Sequence, residues 1–187
     1  MVHGRRRLLR NLWASLAVLV AVGIVGLGLP AINALLPAAR AVSASEAYRV
    51  AAGVSVRPPY GASLDVTQTQ PGAHQGSVLF VLGSVRYAVV VTRYTGTLIG
   101  AAERLRAKIT GTRGYQIAGG ETSVMTAQGV TGRAGNYAST GRVGRYAVFV
   151  AHGLSVEVTV AGSGLDLSKA LPSVSASIDT LTFRTAS

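Results

Sequence analysis

The segment from Gly129 to Tyr146, GVTGRAGNYASTGRVGRY, carries the residues of this chain that are best suited to bind an anion. Five glycines alternate there with three arginines and two tyrosines: Arg133, Arg142, Arg145, Tyr137 and Tyr146. Glycine turns expose backbone N–H groups, and an arginine guanidinium pairs with phosphate or carboxylate oxygens. These five side chains are therefore candidates for a ligand-binding or anion-binding rim. In the alternative interpretation, the glycines make tight hairpins and the arginines block strand addition at sheet edges.

Residues for acid-base, nucleophilic and metal chemistry are scarce. Beyond residue 40 the only histidines are His74 and His152, each in a predicted turn, and the chain has no cysteine. No nucleophile elbow, phosphate-binding loop or zinc-ligand spacing occurs beyond residue 40. We therefore expect no metal, no cofactor and no enzymatic activity. The alternative is an envelope hydrolase that uses His152 with a nearby serine and aspartate.

Charge separates the N-terminus from the rest of the chain. There are 18 basic and 7 acidic residues, a net charge of +11. Arg5, Arg6, Arg7 and Arg10 precede an apolar run, where arginine determines membrane topology. The remaining surplus is spread out and forms no basic helix, so we expect no nucleic-acid partner.

The apolar run itself predicts one membrane crossing. Residues 11 to 39 contain no charge, and about 20 helical residues cross a bilayer. We predict a cytoplasmic N-terminus over residues 1–10, a transmembrane signal anchor over 11–36, a linker over 37–47 and an extracytoplasmic domain over 48–187. The alternative is a signal peptide cleaved after Ala41 or Ala44. The apolar run is longer than the roughly 7 to 15 residues of a secretory signal, which favours retention.

A second apolar stretch, Ser77 to Thr92, resembles a membrane span but is broken by Gly83-Ser84. Glycine supplies the positive φ that a tight hairpin turn requires. We therefore predict paired strands over 78–82 and 85–94. Before them, YRVAAGVSVRPPYG predicts one short strand stopped by two prolines, and SLDVTQTQ predicts another.

The remaining elements follow from periodicity. Leu98, Ala102, Leu105 and Ile109 form one stripe of a helix predicted from Thr97 to Thr110. Four strands are predicted in ETSVMTAQ, GNYAST, RYAVFVA and LSVEVTV, with Glu157 facing solvent or, in the alternative, paired with an arginine. A second helix should begin near residues 169–171, since proline fits the first turn, and LTFR should close the chain in extended form. Asp166 is interpreted as a helix cap.

A hairpin followed by a helix thus occurs twice, at an offset of 69 residues when the two turns are aligned. The repetition predicts an α+β domain, a mostly antiparallel sheet with packed helices.

With the arginine cluster and span, the GVSVRPPYG start, the helix, the meander and the terminal ALPSVSASIDTLTF, the chain resembles single-span or lipid-anchored cell-envelope proteins of actinobacteria. Several of these carry a domain of the PsbP/MOG1-like fold. The resemblance covers residues 48 to 183, but the lipoprotein cysteine is absent and no functional residue carries over. It implies an accessory or ligand-binding role at the cell envelope.

We therefore expect a non-catalytic, membrane-anchored extracytoplasmic accessory module that binds a partner protein or an amphipathic envelope ligand. Its partners would be the lipid bilayer, through residues 11–36, and an envelope or membrane protein. A structural subunit of a larger membrane complex is a further alternative. An apolar cleft lined by the helix from Thr97 to Thr110 would favour ligand binding.

Overall fold

An eight-stranded antiparallel sheet forms the centre of the domain in the computed structural model, which describes residues 39–51 and 53–184. A small sheet of three short strands and two helices pack against it, so the predicted α+β class is confirmed. The order of strands is β1-β4-β5-β6-β10-β9-β8-β7 in the large sheet and β11-β3-β2 in the small one. The elements are β1 (Ala39–Ala41), β2 (Tyr48–Ala51), β3 (Val54–Val56), β4 (Ser63–Asp65), β5 (Gly76–Leu82), β6 (Val85–Arg93), α1 (Leu98–Gly111), β7 (Gln116–Met125), β8 (Thr131–Ser139), β9 (Arg142–Ala151), β10 (Leu154–Gly162), α2 (Gly164–Asp179) and β11 (Thr182–Phe183).

The predicted hairpin is present. Strands β5 and β6 pair in antiparallel register up to Leu82 and Val85, and Gly83 turns the chain with a φ of 58°. The later four strands, β7 to β10, form the predicted meander, and β11 is the predicted closing segment. Each of the two hairpins, β5–β6 and β9–β10, is followed by a helix.

The N-terminal strands differ from the prediction. The segment expected to hold one strand contains two, β2 and β3, because Gly53 reverses the chain with a φ of 80°. Strand β4 is only three residues long. It ends at Asp65, whose Oδ1 accepts hydrogen bonds from the backbone N–H groups of Thr67 and Gln68 at 3.0 and 3.2 Å. These bonds draw the backbone into a turn and away from the strand.

Strand β1 lies in the predicted linker, where residues 39–41 pair with residues 63–65 of β4. Strand β1 thus belongs to the same compact unit as the other described residues. The predicted membrane anchor over residues 11–36 lies outside the described residues. Within the described ranges, neither helix is long and apolar enough to cross a bilayer.

Helix α1 begins directly after its predicted cap, Thr97, and ends at Gly111, one residue later than predicted. The Thr97 side chain accepts a hydrogen bond from the Gly100 N–H at 3.1 Å, which caps the first turn. Ala101, Ala102, Leu105 and Ile109 are buried on the side that faces the sheet.

Helix α2 begins earlier than predicted, and Pro172 lies in its middle. Its start is fixed by Ser163, whose Oγ accepts from the Asp166 N–H at 3.2 Å, while the Asp166 carboxylate accepts from the Ser163 hydroxyl. Two serine hydroxyls, from Ser84 and Ser163, lower the pKa of Asp166 by hydrogen bonding to its charged form. Ser163 is therefore the cap of α2, and Asp166 lies in its first turn, where a carboxylate is favoured by the helix dipole. Pro172 removes one helical hydrogen bond, and its exposed position keeps the ring out of the core.

The helices cover opposite faces of the large sheet. Because side chains alternate along a strand, residues such as Val148 face α1 and their neighbours, such as Phe149, face α2. We call these the α1 face and the α2 face. Helix α1 packs over β7, β8 and β9, whereas α2 packs over β6, β9 and β10 beside the small sheet. The larger core lies on the α2 face, where Val89, Phe149 and Val158 are almost fully buried.

The expectation that Glu157 faces solvent is wrong. Glu157 lies on the α1 face of the central strand β10, beneath the last turn of α1, and is 8% exposed. Both of its carboxylate oxygens accept hydrogen bonds from Lys108 Nζ at 2.7 Å. The apolar sequence around Glu157 could not reveal this partner, because Lys108 comes from a helix 49 residues earlier.

Removing the lysine should leave a buried carboxylate without its partner. We expect Lys108→Met to lower the free energy of unfolding by about 1 to 3 kcal/mol at pH 7, measured by urea denaturation. The double variant Lys108→Met/Glu157→Met should recover most of that loss, since neither charge remains. Lys169→Met, at an exposed position of α2, is the matched control and should change it by less than about 0.5 kcal/mol. Equal losses in the single and double variants would contradict the pairing.

Candidate functional site: a cleft beneath helix α2

A cleft of about 480 Å³ lies between α2 and the part of the sheet formed by β7, β8 and β9. It exists because the sheet continues past the strands that α2 covers. Its walls come from the sheet residues Thr122, Val124, Ala134, Asn136, Arg145, Ala147, Phe149, Val158 and Val160, and from Leu171, Val174, Ser175, Ile178 and Asp179 of α2.

The inner surface of the cleft is apolar. Phe149 and Val174 are at most 1% exposed, and Val124 and Ile178 pack against the same core as half-buried side chains. Small alanine side chains of β8 and β9 lie between them in the floor. Such a surface suits a hydrocarbon group or an apolar side chain, because its burial is favourable without any hydrogen bond.

Polar groups lie at the mouth. Arg145 of β9 and Asn136 of β8 are direct cross-strand neighbours, and both are exposed. A second pocket of about 290 Å³ lies beside the same two residues and extends toward Leu167 at the start of α2. Arg145 and Asn136 thus stand between two apolar depressions along one side of the helix.

The β7–β8 connection borders the end of the cleft near Asp179. The Ala127 N–H donates to the Asp179 carbonyl at 3.0 Å, and the Phe183 N–H donates to the Gln128 side-chain oxygen at 3.1 Å. Thr126 is buried in the same connection. The first bond joins the C-terminal end of α2 to the β7–β8 connection, and the second joins β11 to the same connection.

The structure separates the five residues of the predicted rim. On the α1 face, Arg133 Nε donates to Glu121 Oε2 at 2.8 Å, and the Tyr146 hydroxyl donates to Glu121 Oε1 at 2.8 Å. Burial, together with the neighbouring Glu121 carboxylate, raises the pKa of Tyr146 to about 12. Both side chains are therefore engaged within the fold.

The other three rim residues diverge. The Tyr137 hydroxyl donates to the Val160 carbonyl at 3.1 Å, and burial raises the pKa of Tyr137 to about 12. Arg142 lies near Tyr137 at the β8–β9 turn, whereas Arg145 projects from the α2 face into the mouth of the cleft. The five residues do not converge on one point, and their joint binding of an anion stays a prediction.

The glycines of this segment have a role that the sequence did not reveal. Gly132, Gly135 and Gly144 lie within strands, and each is the direct cross-strand partner of an aromatic residue: Phe149, Tyr146 and Tyr137 respectively. A side chain at any of the three would overlap the ring that lies across it. Gly129 and Gly141, with φ of 78° and 74°, make the turns.

Among the described residues, the chemistry-bearing side chains do not assemble. His152 forms the β9–β10 turn with a φ of 50° and is exposed, and its side chain makes no hydrogen bond in this part of the chain. Ser155, three residues on, is 2% exposed, and its hydroxyl has no partner there. No group of three His, Asp or Glu side chains in these ranges is placed to hold a metal ion.

The apolar cleft is lined by α2 and not by α1, the helix at which an apolar cleft would have favoured ligand binding. The pocket beside α1 has Glu103, Arg106 and Thr110 in its wall, so it is more polar than the cleft beneath α2. The sequence pattern did not indicate Asn136 or Ile178 as site residues. Nothing in the local pattern distinguishes a half-covered sheet position from a fully covered one.

Comparison with solved structures places the fold. The domain is similar to the solution structure of cyanobacterial PsbP (CyanoP) from Synechocystis sp. PCC 6803, with a TM-score of 0.53 and 12% identity over 80% of this chain and 99% of that one. PA94, a protein of unknown function from Pseudomonas aeruginosa, matches with a TM-score of 0.49 and 15% identity over 59% of this chain and 84% of that one. No sequence profile of a known family and no curated protein matches the chain.

The fold is therefore PsbP-like, an α+β architecture with a mostly antiparallel sheet and two helices. At 12% identity the likeness concerns the backbone and leaves the function of this chain to its own residues.

Adding a methyl group opposite a buried ring should disrupt the sheet that forms the floor of the cleft. We expect Gly135→Ala to lower the free energy of unfolding by about 1 to 3 kcal/mol, because Tyr146 is buried and its hydroxyl is held by Glu121. Gly120→Ala adds the same methyl group where no neighbouring atom is within 4 Å, and should change the free energy of unfolding by less than about 0.5 kcal/mol. The free energies are measured by urea denaturation. Equal losses in the two variants would contradict the contact between residue 135 and the Tyr146 ring.

Proposed function

We propose that this protein is a membrane-anchored extracytoplasmic accessory module of the bacterial cell envelope, and that it binds an amphipathic ligand in the cleft beneath α2. The observation that carries the proposal is the combination of an apolar interior with a polar mouth at Arg145 and Asn136. A ligand with one apolar and one polar end matches both parts. A partner protein could present such a group in place of a free molecule.

Anchoring is supported by the sequence. The uncharged run over residues 11–39 is long enough to cross a bilayer, and the arginines before it favour the cytoplasmic side. Strand β1 begins at Ala39, so little chain separates the anchor from the folded unit.

A binding role without catalysis is supported by the arrangement of the polar side chains in the described ranges. Tyr137, Tyr146 and Arg133 are held by partners within the fold, and His152 lies in an exposed turn. A hydrolase would need His152 beside a serine hydroxyl and a carboxylate. The neighbouring Ser155 is buried within the sheet.

Ligand binding can be followed at one side chain. With the full-length chain carrying 13C-labelled isoleucine methyl groups in a non-ionic amphipol, we expect laurate or 1-monolauroylglycerol to shift the Ile178 signals. Three isoleucines outside the cleft should keep their signals in place: Ile99, Ile109 and Ile117. Ala134→Leu should abolish the Ile178 shift by filling the floor, whereas Ala107→Leu, on the exposed side of α1, should preserve it. Equal shifts at these four isoleucines would indicate non-specific partitioning and would contradict the site.

Topology can be tested because the chain contains no cysteine. We expect Thr140→Cys, in the exposed β8–β9 turn, to react with a membrane-impermeant maleimide on intact spheroplasts. Gly4→Cys should react only after lysis, since the arginine-rich end stays inside. Labelling of Gly4→Cys alone in intact spheroplasts would refute the proposed orientation.

A further inference from the structure

We infer that the amphiphile bound in this cleft carries an anionic head group, a carboxylate or a phosphate, which Arg145 and Asn136 bind at the mouth. The inference rests on the proposed function and specifies its ligand.

The charges around the cleft support an anion at one end. None of the ion pairs among residues 39–51 and 53–184 involves Arg145, whereas Arg133, on the α1 face, is neutralised by Glu121. Within the same described ranges, the one acidic side chain in the wall of the cleft is Asp179, at the other end beside Ile178. An anionic head is therefore attracted to the mouth and repelled from the far end. The paired N–H groups of a guanidinium match the oxygens of a carboxylate or phosphate.

The backbone of the floor favours a hydrocarbon tail over a peptide. Strands β8, β9 and β10, which line most of the cleft, are each paired on both sides, so their ladder hydrogen bonds are already made within the sheet. In the described ranges the free strand edge at this cleft is the outer edge of β7, away from α2. A peptide that entered the cleft would bury its amide groups without backbone partners, which is costly. A hydrocarbon chain has no such groups, and the alanine and valine side chains of the floor give it a continuous apolar surface.

The length of the cleft along β9 agrees with a hydrocarbon tail that lies beneath α2. From Arg145 to Phe149 the strand advances by about 13 Å, at roughly 3.3 Å per residue. Leu171, Val174 and Ile178 follow the same path on the helix side. A head group at Arg145 would place the tail along this line.

The test compares head groups on one tail length. In isoleucine-labelled full-length protein, titrated in the same non-ionic amphipol, we expect laurate and dodecyl phosphate to bind about tenfold more tightly than 1-monolauroylglycerol. Dodecyltrimethylammonium should bind no better than the neutral compound. Arg145→Gln should remove the preference for the anionic compounds, whereas Arg113→Gln, at an exposed arginine between α1 and β7, should retain it.

The possible outcomes distinguish a failure of the anionic head group from a failure of the proposed function. Equal affinities for anionic and neutral amphiphiles, or a preference that survives Arg145→Gln, would overturn the anionic head group while the Ile178 shift still supports an apolar ligand. Inorganic phosphate that bound as tightly as dodecyl phosphate would replace the amphiphile by a free anion and would also overturn the inference. The absence of an Ile178 shift with every compound would refute the proposed function itself.

Discussion

The width of the central sheet is the constraint on which the rest of this domain depends. Eight strands span about 34 Å between the edge strands at roughly 4.8 Å per strand, whereas a helix with its side chains is only about 10 to 12 Å across. On the α2 face, the small sheet and α2 together cover the strands from β5 to β9. The surface of β7 and β8 extends beyond them, and the cleft is the space between this surface and the side of α2.

The α1 face of the sheet is covered in a different way. Helix α1 packs on β7, β8 and β9, the strands that α2 leaves partly uncovered on the opposite face. Rings from Tyr137 and Tyr146 lie across Gly144 and Gly135, which leaves room for the helix above them. Two carboxylates on this face are paired within the fold, that of the buried Glu157 with Lys108 and that of the half-buried Glu121 with Arg133. On the α1 face, the helix and the tyrosine rings cover the sheet and the carboxylates are paired with basic side chains. On the α2 face, Arg145 lies at the mouth of a cleft.

Predictions from the sequence were accurate where the determining interactions are local. The turn at Gly83, the cap at Thr97 and the stripe that ends at Ile109 each depend on residues within a few positions of one another. They failed at α2, because the preference of proline for the first helical turn suggested a late start. The cap at Ser163 instead begins the helix at Gly164 and leaves Pro172 in its middle. They also failed at Glu157, because the apolar neighbours of a carboxylate do not disclose an amine supplied by a distant helix.

The amino-acid sequence by itself determined the α+β class, the two hairpins with their following helices, and the residue types available for binding. These depend on backbone preferences and side-chain periodicity, which are properties of short segments. Only the tertiary structure decided that the five arginines and tyrosines of one segment fall on opposite faces, and that the cleft lies beneath α2. Those outcomes depend on which strands become neighbours and how far each helix reaches across them, and such pairings are fixed by burial summed over the whole domain.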